Sequence, residues 1–332
     1  MKKLLALVLV LTLVLGMGVG VFAEEDWSEV PITKKLTSQG TNPAETFHFI
    51  VGEGSGERDG KDIPAPGFGQ HSTFDITIGE DGLSKSHNLV LPNFTQVGVY
   101  TYPIYEAEGT TAGMVYDKGP KDLVITVINN VNHDPDDEDS PKFLRVVTMA
   151  GGTEDNPVKV DAFENKFYSG DLTIKKEIKG NYADPNDKFE ITVTLTPVEG
   201  KVLNSDAIKH DGGDLTVLNE ETGAVKIVYK NVIGDDSFTI QNIPYDVTYT
   251  VVETDTGVDY IVTYANASGI MGVDSAEDAD DAAAKVATIT NTRGINVETG
   301  INLDNLPYIL ILGAASVGLV AFTLKRRFSD DR

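Results

Sequence analysis

The sequence predicts an all-β protein built from two tandem β-sandwich domains. Short runs rich in Thr, Val, Ile and aromatic residues alternate apolar with polar side chains, as half-buried strands do. Turn residues separate these runs, and no stretch of the first half has a convincing helical period. The chain has 332 residues, which is enough for two domains of ordinary size.

The strands of the first half are predicted between Val30 and Tyr168. The alternating runs in this half include Thr46–Val51, Ser72–Ile78, Val99–Glu106, Leu123–Ile128 and Phe143–Met149. Gly and Pro are frequent in Gly52–Gly69, which is predicted to be a loop, and Asn132–Ser140 is predicted to be an acidic turn or the tip of a hairpin.

The second set of strands is predicted to begin at Leu172, after a break at Ser169-Gly170-Asp171. The later runs are Lys188–Thr196, Ala224–Lys230, Ser237–Ile240, Thr248–Thr254, Asp259–Tyr264 and Lys285–Thr292. The acidic, Ala-rich stretch Asp274–Lys285 is either a loop or a short helix. Many short strands with turns between them are typical of β-sandwiches.

A lysine occupies a core-facing position in the first strand of each half. Side chains two residues apart share a strand face, so Lys176 lies on the same side as Leu172, Ile174 and Ile178. Lys34 has the same relation to Val30, Ile32 and Leu36. A buried lysine is costly unless it is paired or chemically changed. The alternative is a strand-end lysine whose stem packs while its amine reaches water.

Each half also carries a core-facing glutamate and then a core-facing asparagine. Glu106 follows Lys34 by 72 residues and Glu253 follows Lys176 by 77, and the asparagines Asn165 and Asn291 come 59 and 38 residues later. Burial favours the neutral amine and the protonated carboxyl, and a neutral amine is a nucleophile. A protonated glutamate could polarise the asparagine carbonyl and shuttle protons during attack. This pattern predicts a single-turnover Lys–Asn amide with loss of ammonia, although each glutamate or asparagine alone could be an ordinary polar residue.

The composition excludes several kinds of site and partner. The sequence has no cysteine, so disulfides and thiolate metal sites cannot form. The formal net charge of −24 argues against nucleic acid as a partner. The five histidines are scattered without metal-ligand spacing, and we expect neither a metal nor a cofactor.

Both ends of the chain carry targeting signals. Residues 1–23 have two lysines, an apolar run and Ala23 at the end, which predicts a cleaved secretory signal peptide. Ile309–Leu324 is long and apolar enough to span a bilayer, and the basic cluster Lys325-Arg326-Arg327 follows it. A permanent transmembrane helix is the alternative interpretation of this second run.

These features together resemble a Gram-positive, sortase-assembled major (backbone) pilin of the two-domain streptococcal type. The motifs that carry the resemblance are LTIKKEI at 172–178, YTVVE at 249–253, TITNTR at 288–293, ITKKL at 32–36, YPIYE at 102–106 and FEN at 163–165. The resemblance covers nearly all of the chain between the two terminal signals. It implies Ig-like domains of the CnaB type.

The resemblance assigns roles to the buried polar residues. It implies intramolecular isopeptide bonds Lys34–Asn165 and Lys176–Asn291, with Glu106 and Glu253 assisting. Lys35 and Lys175 lie next to the two chosen lysines and are the alternatives.

The C-terminal stretch Asn296–Gly300, followed by the apolar run and the basic cluster, resembles a sortase sorting signal. The resemblance implies cleavage between Thr299 and Gly300 and transfer of the threonine to an amine. Glu298 stands where the usual motif has proline, which leaves the sortase class open. Lys159 resembles the family's acceptor for linkage between subunits, with Lys142 and Lys166 as competitors and a plain surface lysine as the alternative.

The predicted organisation is a signal peptide at 1–23, sandwich domains at 24–168 and 169–293, and a sorting signal at 294–332. The predicted function is a structural subunit of a covalently polymerised pilus shaft, without turnover of an external substrate. Expected partners are other copies of the chain, a pilus sortase, minor pilins and peptidoglycan, with host surface molecules as a further candidate. The predicted location is extracellular and anchored to the cell wall, after a transient membrane-bound precursor. A wall-anchored monomeric adhesin or minor pilin is the rival interpretation.

Overall fold

The computed structural model describes residues 28–137, 140–153, 156–254, 259–272 and 285–294. Within these ranges the regular structure is entirely β, apart from 3-10 turns at Gly69–His71 and Ser205–Ala207. The all-β prediction is confirmed. The signal peptide, the sorting signal and most of Asp274–Lys285 lie outside the described residues.

The strands of the first half begin with a long strand that carries Lys34. They are β1 (Glu29–Gln39), β2 (Glu45–Val51), β3 (Ser55–Arg58), β4 (Lys61–Ile63), β5 (Thr73–Ile78), β6 (Ser84–Val90), β7 (Gly98–Glu106), β8 (Met114–Val115), β9 (Lys121–Asn129), β10 (Phe143–Thr153) and β11 (Asn156–Lys159).

The remaining strands begin with the longest one, which carries both Asn165 and Lys176. They are β12 (Phe163–Lys179), β13 (Phe189–Pro197), β14 (Lys209–His210), β15 (Asp214–Asn219), β16 (Ala224–Val232), β17 (Ser237–Pro244), β18 (Val247–Thr254), β19 (Ile261–Ala265), β20 (Ser268–Ile270) and β21 (Lys285–Thr292).

Contacts divide the chain into two compact units. The first takes in the described residues up to Thr37, Ala44–Gly109 and Tyr116–Asn165. The second takes in Ser38–Pro43, Thr110–Val115 and the described residues from Lys166 onward.

One sheet of the first unit runs β11-β10-β9-β7-β2-β5, and β3 and β4 join it beside β7. All of its pairs are antiparallel, and β1 pairs antiparallel with β6. Alternate side chains of these strands point inward, as the period of two requires. Phe47, Phe49, Tyr102 and Phe163 are among the largest fully buried side chains.

One sheet of the second unit is antiparallel in the order β15-β16-β13-β18-β20. On a second sheet, β12 pairs antiparallel with β17 and parallel with β21, from Leu172 opposite Lys285 to Lys179 opposite Thr292. β19 then pairs antiparallel with β21. A continuous apolar core that includes Ile174, Val193 and Ile289 fills this unit.

Two local predictions are wrong. Gly52–Gly69 is not wholly loop, because β3 and β4 form a short hairpin within it, and β3 also pairs with β7. The predicted break at Ser169-Gly170-Asp171 is not a break, because β12 runs through it without interruption. The pairing only shifts register between Gly170 and Leu172. There Asp171 of β12 lies opposite two residues of β17, Gln241 and Asn242, so the extra residue of the bulge lies on β17 and β12 does not end.

Candidate functional site

The first cluster of buried polar side chains brings together Lys34, Glu106 and Asn165. They come from β1, from the last residue of β7 and from the start of β12. Lys34 Nζ donates a hydrogen bond of 2.8 Å to Glu106 Oε2. Asn165 Nδ2 donates one of 2.6 Å to Glu106 Oε1. One carboxyl group therefore bridges the amine and the amide.

The second cluster repeats this arrangement with Lys176, Glu253 and Asn291. Lys176 Nζ donates to Glu253 Oε2 over 2.6 Å, and Asn291 Nδ2 donates to Glu253 Oε1 over 2.7 Å. In the parallel β12–β21 pair, Asn291 lies opposite Ile178, one inward position beyond Lys176. This register brings the amide close to the amine.

Both clusters are shielded from water. Lys34, Asn165 and Asn291 are 0% exposed, and Lys176 is 1% exposed. The neighbouring lysines lie on the opposite strand face, where Lys175 is exposed and Lys35 is partly exposed. Lys35 Nζ pairs with Asp161 at the surface over 2.9 Å. The inward phase of each strand thus selects one lysine of each Lys-Lys pair.

Burial shifts the pKa values of Lys34, Glu106 and Lys176 toward their uncharged forms. Loss of hydration lowers the pKa of the Lys34 amine, against the opposing charge of Glu106. Loss of hydration likewise raises the pKa of the Glu106 carboxyl and lowers that of the Lys176 amine. Both directions favour a nucleophilic NH₂ group beside an acid that can exchange protons.

An aromatic ring lies under each amine. Lys34 Nζ is 4.9 Å from the ring centre of Phe47, and Lys176 Nζ is 4.1 Å from that of Phe189. These rings exclude water and face the amine with their negative side. The sequence analysis did not single them out, because an inward phenylalanine in a strand resembles any other core residue.

The orientation of the amides differs from the expected one. The sequence analysis expected each glutamate to donate to the asparagine carbonyl oxygen. In the structure the amide nitrogen faces the glutamate instead. A carboxylate only accepts hydrogen bonds, so N–H groups satisfy it. Once protonated, the glutamate would lie beside the nitrogen that leaves as ammonia and could deliver a proton to it.

A neighbour of the first cluster escaped the sequence analysis. The backbone N–H of Asp117 donates to Asn165 Oδ1 over 2.7 Å. Asp117 lies in the loop between β8 and β9, far in sequence from both Lys34 and Asn165. No periodic signal marks a backbone donor in a loop, so only the fold shows this contact.

The residues proposed for polymerisation are only partly described. Lys159 is exposed at the end of the edge strand β11, and its competitors Lys142 and Lys166 are exposed as well. Thr299 and Gly300 lie outside the described residues. Within the described ranges, no group of His, Asp and Glu side chains could hold a metal ion. Within the same ranges, no helix is long and apolar enough to cross a membrane.

Two family models cover most of the chain. Residues 30–167 match FctA, described as the Spy0128-like isopeptide containing domain. Residues 170–293 match a domain of unknown function, DUF7601. The buried triad of the first unit lies within the first match, and that of the second unit within the other.

Similar proteins come from Streptococcus pyogenes. A curated pilin of serotype M1 is 25% identical over 248 residues, which cover 70% of this chain and 69% of that pilin. The solved major pilin of serotype GAS13637 has a TM-score of 0.49 at 23% identity, covering 80% of this chain and 98% of its own. Another S. pyogenes major pilin has a TM-score of 0.49 at 18% identity, covering 81% and 99%.

The sequence matches bear out the predicted family. An isopeptide-containing domain spans the first unit, and the pilin match extends over more than two thirds of each chain. Residues 30–167 match the isopeptide-containing domain family, and the chain as a whole is similar to streptococcal pilins.

Proposed function

We propose that this protein is a pilus shaft subunit that cross-links itself inside each domain and is then joined to other subunits by a sortase. The observation that carries the first part is the pair of buried Lys–Glu–Asn triads, in which one carboxyl bridges amine and amide twice. The chain acts as a structural protein. Its only chemistry is a single turnover on its own side chains.

The bond-forming step begins with the uncharged pair. Lys34 Nζ, as NH₂, attacks Cγ of Asn165, and negative charge develops on Oδ1. Protonated Glu106 gives its proton through Oε1 to Nδ2, and the C–N bond breaks to release ammonia. The attacking nitrogen then returns a proton through Oε2, so Glu106 ends as it began. Lys176, Glu253 and Asn291 follow the same steps in the second domain.

Proximity of the reacting groups accounts for much of the rate of this reaction. The folded core holds nucleophile, acid and electrophile together, so no encounter in solution is needed. The product replaces a desolvated amine by a neutral amide, which removes the cost of burying a charge. No cofactor or metal enters any of these steps.

Polymerisation would use the two ends of the chain. Residues 1–23 would direct export, and a pilus sortase would cleave between Thr299 and Gly300 and pass the threonine to Lys159 of another copy. The exposure of Lys159 on an edge strand supports its choice. Transfer of the last subunit to peptidoglycan would anchor the shaft in the cell wall, and minor pilins would be joined in the same way.

Cell-wall extracts test this function. A Gram-positive host that makes the chain and a pilus sortase should yield a ladder of covalent polymers. Lys159→Arg should remove the ladder, whereas Lys142→Arg and Lys166→Arg should leave it. A single band of monomer size in the wild type would favour the anchored monomeric adhesin. An unchanged ladder in Lys159→Arg would reject this acceptor.

A further inference from the structure

The carbonyl oxygen of Asn165 has a backbone partner that belongs to neither strand of the cross-link. Asp117 N–H donates to it over 2.7 Å. A backbone N–H can only donate, so it must face the oxygen of the amide and not the nitrogen. This contact therefore settles which end of the amide points to Glu106.

The side chain of Asp117 holds the loop in place. Its Oδ2 accepts a hydrogen bond of 2.9 Å from the backbone N–H of Glu164, next to Asn165 on β12. The same oxygen pairs with Lys121 Nζ over 2.8 Å, and these side chains are only 15% and 12% exposed. Lys121 Nζ lies 5.0 Å from the ring centre of Phe163. The donor is thus fixed relative to the reacting amide from two sides.

The second triad lacks this feature. Asn291 Oδ1 is buried and has no hydrogen-bond partner among the described residues. The other contacts of the two triads match: amine to carboxyl, amide nitrogen to carboxyl, and a ring beneath the amine. The chain thus contains two versions of one site that differ at the carbonyl oxygen.

We propose that the Asp117 N–H is an oxyanion donor for the first cross-link, and that the Asp117 side chain is its positioning group. Attack on Asn165 Cγ places negative charge on Oδ1, where this N–H already points. A preorganised donor stabilises such charge without reorganisation. The first site should therefore close faster than the second. This inference rests on the proposed cross-linking.

The sharpest test removes the N–H alone. The full chain is made by cell-free translation, with the α-hydroxy analogue of aspartate at position 117. This analogue turns the Tyr116–Asp117 amide into an ester, which has no N–H, and keeps the aspartate side chain. Samples are quenched in denaturant at set times, and peptide mapping counts the Lys34–Asn165 and Lys176–Asn291 peptides separately. Loss of one such donor lowers a rate by about 10²-fold. We expect that loss at the first site and an unchanged rate at the second.

Two substitutions test the positioning role. Asp117→Ala keeps the N–H but frees the loop, so it should slow the first site by a smaller factor of about ten. Asp117→Asn keeps an acceptor for Glu164 N–H and should restore most of the rate. A general folding defect would slow both sites and would not be rescued selectively in this way.

The outcomes separate the inference from the proposed function. No cross-linked peptide from either site in the unmodified chain would refute the self-cross-linking itself. Suppose instead that the unmodified chain forms both cross-links, but the ester variant closes the first site at the unmodified rate or slows both sites equally. That result would overturn the role of Asp117 and leave the self-cross-linking intact.

Discussion

The two triads use the same residue types but differ in their surroundings. In the first, Asn165 Oδ1 has a backbone donor, whereas in the second Asn291 Oδ1 is buried without a partner in the described chain. In the second, Lys176 lies closer to its aromatic ring than Lys34 does. What the two share is a desolvated amine, a bridging carboxyl and an amide. We infer that this shared set decides whether the bond forms, and that the differing contact tunes its rate.

The triads also differ in the strands that they connect. Lys176 and Asn291 lie on β12 and β21, the first and last strands of the second domain, which already pair in parallel. Lys34 and Asn165 lie on β1 and β12. A bond between the ends of a domain carries load directly, whereas hydrogen bonds between strands contribute only about 1 kcal/mol each.

The largest expected effect is complete loss of one bond at a time. Glu106→Ala should abolish the Lys34–Asn165 bond alone, and Glu253→Ala the Lys176–Asn291 bond alone, because each glutamate bridges only its own pair. Each loss should lower stability by about 4 kcal/mol or more, since long covalent loops restrict the unfolded chain. Mass spectrometry and thermal unfolding measure the two effects.

Glu177→Ala provides the matched control for this pair. Glu177 lies beside Lys176 in sequence but on the opposite strand face, where it forms a surface ion pair with Lys179. This variant should keep both bonds. A Glu253→Ala variant that still loses two ammonia molecules would contradict the assigned role of Glu253.

The second prediction concerns load and separates the two domains. If subunits are joined from Lys159 to Thr299, tension passes through the whole second domain but leaves residues 34–158 outside its path. Lys176→Ala should then let the polymer lengthen by up to about 400 Å per subunit. Each residue released between positions 176 and 291 adds ~3.5 Å when it is fully extended. Lys34→Ala should change the extension little and lower the protease resistance of the first domain.

Single-molecule pulling between Lys159 and Thr299 measures this difference. The wild type and Lys34→Ala should behave alike at forces that extend Lys176→Ala. Equal lengthening of both variants would contradict this force path, as would a Lys176→Ala polymer that stays at wild-type length.

A smaller effect is expected in the pH dependence of a variant that cannot close the first bond. In Glu106→Gln, Lys34 remains buried without its counter-charge, and burial lowers its pKa from the ordinary value of 10.5. Below the lowered pKa, the folded chain must bury a charged amine, and the destabilisation is largest there. Between the lowered pKa and 10.5, the unfolded chain binds more protons than the folded chain, so stability rises with pH. This penalty fades as the pH rises toward 10.5. Stability should therefore increase with pH on the alkaline side.

The control for this prediction is Lys34→Met in the same Glu106→Gln background. Methionine has no proton to exchange, so the alkaline gain in the free energy of unfolding should disappear. Denaturant unfolding at a series of pH values measures both variants. Parallel pH profiles would show that Lys34 does not carry the effect.

Periodicity was sufficient to predict the fold class and most core strands. Inward phase placed Lys34 and Lys176 in cores because side-chain direction alternates strictly along a strand. Phase could not reveal that β12 continues through Ser169–Asp171, because Ser, Gly and Asp also favour turns and the bulge that preserves the pairing lies on the distant strand β17. The short strands β3, β4, β8, β11, β14 and β20 also escaped, since they contain too few residues to show a period, and the longer β15 was not predicted either.

The site was harder to predict in detail than the fold. Core phase identified the three polar residues of each triad, but not the direction of each amide. That direction depends on partners distant in sequence, such as the N–H of Asp117. The unequal surroundings of Asn165 and Asn291 arise from loop placement and the meeting of distant strands, which no local pattern encodes.

The central claim is that both triads close into amide bonds without help from another protein. The most direct measurement is the intact mass of the chain, made without any sortase and with its N-terminus defined. The account predicts a mass lower than that of the sequence by two ammonia molecules, with one recovered in Asn165→Ala and one in Asn291→Ala. A mass equal to that of the sequence would contradict it.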